Sequence, residues 1–176
     1  MREHLAIGKT SAQRVSLRFL TAEGGASDPV DLPASVVLPL RVSVDHAAVS
    51  EIEIVDGESR IRVRDVSLGY DGDRQAHRVR ALRVASDWGM LEADGELAGR
   101  APFALSAQVM LRNAPERAAK VALSGTLRAI DAEVTANFDG IGAHADARIR
   151  PFDPLWLEKL AARAQGIDLS RFVKDA

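Results

Sequence analysis

Chemistry in a chain of 176 residues with no cysteine must come from histidine, carboxylate, hydroxyl or amine groups. Zero Cys removes a disulfide framework, a thiolate zinc site, an iron–sulfur cluster and a cysteine nucleophile together. The histidines His4, His46, His77 and His144 lie far apart, with no HxxxH or HExxH spacing to bring two histidine ligands to one face of one element. Each reads as an isolated side chain. Asp71-Gly72-Asp73 could open a calcium loop, but the twelfth position, where such a loop needs a glutamate, is Leu82. A hairpin turn accounts for the triplet better. Serines and aspartates are plentiful, yet there is no GxSxG, no SxxK and no glycine-rich phosphate loop. The expectation is a protein with no catalytic residue, no metal site and no cofactor.

Arginine is the remaining candidate. Arg60, Arg62 and Arg64 fall on one side of an alternating stretch, and Arg78 and Arg80 do the same nearby. They could meet lipid head groups or an acidic partner. A solvated sheet face paired with Glu51, Glu53 and Glu58 explains them with fewer assumptions. The formal net charge of -2 supplies no basic excess for nucleic acid.

The elements that must carry these residues are strands. From Phe103, the residues Phe103, Leu105, Ala107, Val109 and Leu111 share one side. The pattern repeats at Val121, Leu123, Gly125 and Leu127, and at Ala132, Val134, Ala136 and Phe138. After Asp139-Gly140, a type I′ hairpin signal, come Ile141, Ala143, Ala145, Ala147 and Ile149. Opposite Ala132 to Phe138 stand Asp131, Glu133, Thr135, Asn137 and Asp139, a set that must face water. Earlier in the chain the apolar phase slips between Val63 and Val66, with Arg64-Asp65 between them, and again between Val79 and Leu82. A bulge at each slip would restore one apolar face. Asp56-Gly57 and Asp71-Gly72 are further hairpin signals, and Trp88-Gly89 suggests a tight bend.

Two regions break the alternation. Gly24 to Pro33 reads as a loop between strands at Arg14–Thr21 and Val36–Val44. Near the end, Asp153 suits an N-cap and Pro154 a first helical position. Trp156, Leu157, Leu160, Ala161 and Ala164 then form a stripe closed by Gly166. The expectation is a helix over Pro154–Gln165, with a second turn from Asp168 to about Val173. Trp156 would serve as an interfacial anchor or a plug at the sheet end. The whole chain, 1–176, then reads as one β-rich segment of about ten strands over residues 14–149, with a helical end at 153–173.

Four stretches together resemble one family. LPLRVSVDHAAVSEIEI (Leu38–Ile54), RVASDWGMLEADGEL (Arg83–Leu97), LSGTL (Leu123–Leu127) and RIRPFDPLWLEKLAARAQGIDLSRF (Arg148–Phe172) are similar to the TamB family, the inner-membrane component of the bacterial translocation and assembly module. The resemblance implies a β-taco: a curved, mostly antiparallel, all-β open sheet with a continuous apolar groove, related to AsmA-like and bridge-like lipid transfer proteins. It also implies a periplasmic location in a Gram-negative bacterium, with the full-length protein anchored in the inner membrane.

The partners implied are phospholipid acyl chains, neighbouring segments of the same protein, and an outer-membrane barrel engaged through regions absent from this chain. The implied role is lipid transport to the outer membrane and support of outer-membrane protein assembly, autotransporters included. Met1 to Ala12 carries only the short apolar run Leu5–Ile7, so anchor and barrel-binding regions are expected elsewhere, and the chain reads as an internal segment. Alternation locates the dry face and the resemblance suggests lipid on it. The groove candidates are Leu105, Val109, Leu123, Leu127, Val134, Phe138, Ile141 and Ile149. A self-contained periplasmic lipid or lipoprotein carrier, and a structural β module with a solid core, are the competing readings.

Overall fold

The computed structural model describes residues 4–19, 32, 34–56, 59–114 and 116–166. Ten strands form one sheet in which spatial order follows chain order. They are β1 (His4–Phe19), β2 (Arg41–Asp56), β3 (Ser59–Gly72), β4 (Ala76–Ser86), β5 (Gly89–Ala98), β6 (Ala104–Ala114), β7 (Arg117–Thr126), β8 (Ala129–Phe138), β9 (Ile141–Ile149) and β10 (Leu157–Gln165). Every neighbouring pair is antiparallel except β1 and β2, which run parallel. Strands at the usual spacing of about 4.8 Å make this sheet about 43 Å wide.

Apolar residues reach one face of the sheet because bulges correct their phase. On β2 the apolar positions run Val42, Val44, then Ala47, Val49, then Ile52, Ile54, and the register against β3 shifts between Val44 and Ala47. β1 keeps step in its parallel register, setting Leu5 and Ile7 beside Val42 and Val44, and Val15 and Leu17 beside Ile52 and Ile54. On β3 the expected slip is present: Asp65 has φ 50, and pairing with β4 shifts between Arg64 and Ser67. On β4 the second slip is also present, with Ala81 at φ 49 and a shift between Val79 and Leu82. The Asp94 carboxylate accepts the Ala81 N–H at 2.8 Å, satisfying a donor that the bulge takes out of the ladder. Gly69 lies between the β2 and β4 irregularities. A Cβ there would stand 3.2 Å from the Asp45 carbonyl oxygen, so glycine lets the bulged backbone come close.

The turns separate into two rims. One rim carries the β3–β4, β5–β6, β7–β8 and β9–β10 connections, and the other carries the β4–β5, β6–β7 and β8–β9 connections. Asp139 and Gly140 both have positive φ, 53 and 87, as the type I′ reading requires. The bend at Trp88-Gly89 joins β4 to β5, with Gly89 at φ 127. The hairpin expected at Asp71-Gly72 turns slightly later, because β3 continues through Gly72 and the Asp73 side chain accepts the N–H groups of Gln75 and Ala76. Gly57 lies outside the described residues.

Several expectations are corrected. The C-terminal helix is absent: Leu157–Gln165 is β10, antiparallel to β9, and Trp156 is exposed in the preceding turn with its carbonyl accepting the Arg150 N–H at 2.6 Å. A register shift between Leu157 and Lys159 lets Leu157, Leu160, Ala162 and Ala164 share the apolar face as a strand. The unpaired edge of β9 offers a ladder that outweighs the helix propensity of this segment. The second turn at Asp168 lies outside the described residues, as does most of the loop at Gly24–Pro33. The first strand begins at His4 rather than Arg14, and the second at Arg41 rather than Val36. Phe103 is not part of a strand face, since it precedes β6 at φ 56 and is 2% exposed.

Strand-to-strand packing runs between sheet neighbours, and among the described residues no second layer covers the apolar face. A compact chain of this mass would expose about 8,300 Å². This one exposes 13220 Å². Among the described residues the buried apolar side chains are Val66, Ala76, Phe103 and Ala132, and Phe103 is the large one among them. Phe103→Ala is therefore expected to cost about 3 to 5 kcal/mol. Leu160→Ala, at a side chain 62% exposed, should cost below about 0.5 kcal/mol. Urea unfolding of both variants checks the contrast, and equal losses would contradict this account of the core.

Candidate functional site

Register builds the candidate surface row by row, because residues directly opposite in a ladder share a face. Nearest the first rim the row is Val42, Gly72, His77, Leu97, Leu105, Gly125, Ile130, Ile149 and Leu157. The next is Val44, Tyr70, Val79, Gly95, Ala107, Leu123, Ala132, Ala147 and Leu160. A third joins Ala93, Val109, Val121, Val134, Ala145 and Ala162. Side chains along these rows are mostly half-buried although among the described residues no other strand or helix lies over them, and Ala132 is only 7% exposed. Against β8, β9 and β10 the surface holds a concavity of about 250 Å³ whose lining includes Val134, Ala143, Ala145, Ala162 and Ala164.

Among the groove candidates, Leu105, Val109, Leu123, Val134 and Ile149 lie in these three rows. Phe138 and Ile141 pair with each other at the second rim, where Phe138 is 48% exposed. Leu127 falls in the β7–β8 turn, and its N–H donates to the Phe103 carbonyl at 3.1 Å. The opposite face carries the charges. Cross-strand ion pairs there include Arg62–Glu53 at 3.2 Å, Arg78–Glu96 at 2.9 Å, Arg80–Asp71 at 2.6 Å and Arg148–Asp131 at 3.1 Å. Glu53 thus meets the arginine run as expected, whereas Glu51 pairs with Arg14 at 2.9 Å. Pairs this exposed add little stability, but they keep that face wet.

Two polar side chains interrupt the rows, and the sequence reading did not join them. The Tyr70 hydroxyl lies 2.6 Å from His77 Nδ1, and His77 Nε2 lies 2.6 Å from the Val36 carbonyl oxygen. A carbonyl only accepts, so Nε2 carries the proton and the tyrosine hydroxyl donates to Nδ1. Burial raises the Tyr70 pKa, which keeps the phenol neutral. The signal was present in the alternation, since His77 shares the phase of Val79 and Tyr70 that of Leu68. Among the described residues no group of histidines and carboxylates could hold a metal ion, and no helix is long and apolar enough to cross a membrane. No known protein family, curated protein or solved structure matches this chain.

The turn beside His77 is set by Asp73. The N–H groups of Ala76 and Gln75 hold its carboxylate, in that order of effect, below the ordinary range. A lowered pKa contributes stability above the unfolded value and loses it as pH falls through the folded one. Asp73→Asn keeps an acceptor that does not titrate. The wild-type advantage over this variant should be full at neutral pH and vanish under acid, below the ordinary aspartate range. Chemical denaturation of both proteins across that range tests it, and a constant difference would refute it.

Proposed function

We propose that this chain is a segment of a periplasm-spanning, lipid-conducting protein, with the apolar face of its sheet accommodating phospholipid acyl chains. The observation that carries the reading is the apolar face running from β2 to β10, which among the described residues no other strand or helix covers and which residues 35–40 meet only at one rim. Soluble monomers rarely leave an apolar patch above a few hundred Å² uncovered, and larger ones mark a ligand or partner. The face carries the apolar rows and the reverse carries the ion pairs, so an acyl chain lying on the rows meets no unpaired charge. A solid-core module fits less well, because so few of the described side chains are buried. A self-contained carrier fits less well too, because among the described residues nothing pairs with the outer edges of β1 and β10.

The wider role is proposed from the sequence resemblance alone. It comprises delivery of phospholipid to the outer membrane of a Gram-negative bacterium, assistance to autotransporter and other outer-membrane protein assembly, and stacking on neighbouring segments. An outer-membrane barrel would be engaged through regions outside this chain.

Mass spectrometry of the purified chain should find co-purifying phospholipid. Leu123→Asp and Val134→Asp place a carboxylate on the rows, at several kcal/mol for any acyl chain held against it. Each variant is expected to retain the β spectrum, since the face is open to water, and to lose photo-crosslinking to lipid at neighbouring positions. Unfolding of both variants with no lipid cross-link in the parent would reject the groove in favour of a solid core.

A further inference from the structure

Residues 35–40 run along the first rim on their way to β2 and lie across the ends of β3 to β5. Ser35 bridges Arg100, the Val36 N–H donates to the Gly99 carbonyl at 2.9 Å, and the Leu38 N–H donates to the Asp73 carbonyl at 3.2 Å. Arg74 Nε donates to the Pro39 carbonyl at 3.1 Å. The strap also turns onto the apolar face. A Cβ on Gly72, which sits in the first apolar row, would lie 2.8 Å from Leu38 Cδ1 and collide with the Tyr70 hydroxyl. Gly72 is a glycine because that volume is already taken by the strap and its latch.

In the two rows nearest this rim, Tyr70 and His77 are the only polar side chains among the described residues. A polar pair on an apolar surface is costly unless bonded. Here both ring nitrogens of His77 are engaged, and the outer bond goes to the strap. The strap meets the face over β3 to β5, where its bonds to Asp73, Arg74 and His77 lie, and reaches no further along the rim than the β5–β6 turn.

We propose that residues 35–40 are a lid over one end of the apolar face, seated by His77 and Tyr70 as positioning residues, and that acyl chains occupy the remaining surface from β6 to β10. The assignment rests on the lipid reading above and adds a boundary to it. His77→Leu removes the donor to Val36, His77→Gln retains one, and Tyr70→Phe removes only the hydroxyl that orients the ring. Loss of such a bond is worth about 1 to 1.5 kcal/mol, or about tenfold in the opening equilibrium.

The test uses the full chain, hydrogen exchange at the Val36 and Leu38 amides, and a diazirine-bearing fatty acid whose cross-links are mapped by mass spectrometry. In the parent, label is expected on β6 to β10 and not on residues 70–79. His77→Leu should speed exchange at both amides about tenfold and extend label into 70–79. Tyr70→Phe should do the same more weakly, and His77→Gln should restore the parent pattern. Unchanged exchange in His77→Leu overturns the latch. Faster exchange with an unchanged label map overturns the lid, as does label on 70–79 in the parent. Faster exchange with no label anywhere overturns the lipid reading and the boundary with it.

Discussion

A single-layer sheet has no facing element to press against, so the main-chain ladder is the bond on which everything else depends. From β2 to β9 each strand is bonded on both sides, and among the described residues only β1 and β10 keep an open edge. Among the described residues, side-chain burial adds to this at few apolar positions, Val66, Ala76 and Ala132 on the strands and Phe103 just before β6. The apolar rows are thus free of the usual task of apolar residues. They shape a surface instead of filling a core.

Holding one dry face over strands as long as 16 residues requires the phase of alternation to be managed. A one-residue slip sends every side chain beyond it to the opposite face. The sequence carries these slips openly, at Arg64-Asp65 and between Val79 and Leu82, and that is why the bulges were legible before the fold. Antiparallel pairing was legible too, because Asp139-Gly140 and Trp88-Gly89 are turns with their own local chemistry. The shared apolar face of Leu105, Val109, Leu123, Val134 and Ile149 followed from alternation.

What escaped was set by partners distant in sequence. LEKLAARAQ contains no β-branched residue, and its spacing of Leu157, Leu160, Ala161 and Ala164 fits a helix. With Ala162 also small, one bulge makes the same residues fit a strand, and only the waiting edge of β9 decides between the two. The parallel register of β1 on β2 likewise depends on a pairing that no local pattern announces. His77 looked isolated because its partners are Tyr70, seven residues back, and a main-chain oxygen 41 residues back. Backbone acceptors leave no mark on a side-chain pattern.

On the proposed reading, the same rows also determine how an occupant would move. An acyl chain lying across the strands at one level meets Leu105, Gly125, Ile130 and Ile149 in turn, or Ala107, Leu123, Ala132 and Ala147 one level away. Each advance of one strand, about 4.8 Å, trades one apolar contact for another. The apolar area removed from water changes little from step to step, so the hydrophobic term that holds the chain on the face hardly resists its sliding. No bond needs to form or break along the way. The exception is where His77 and Tyr70 stand. There a sliding chain would have to displace the strap and strand two hydrogen-bonding groups against hydrocarbon, so the smooth surface ends where the polar pair begins.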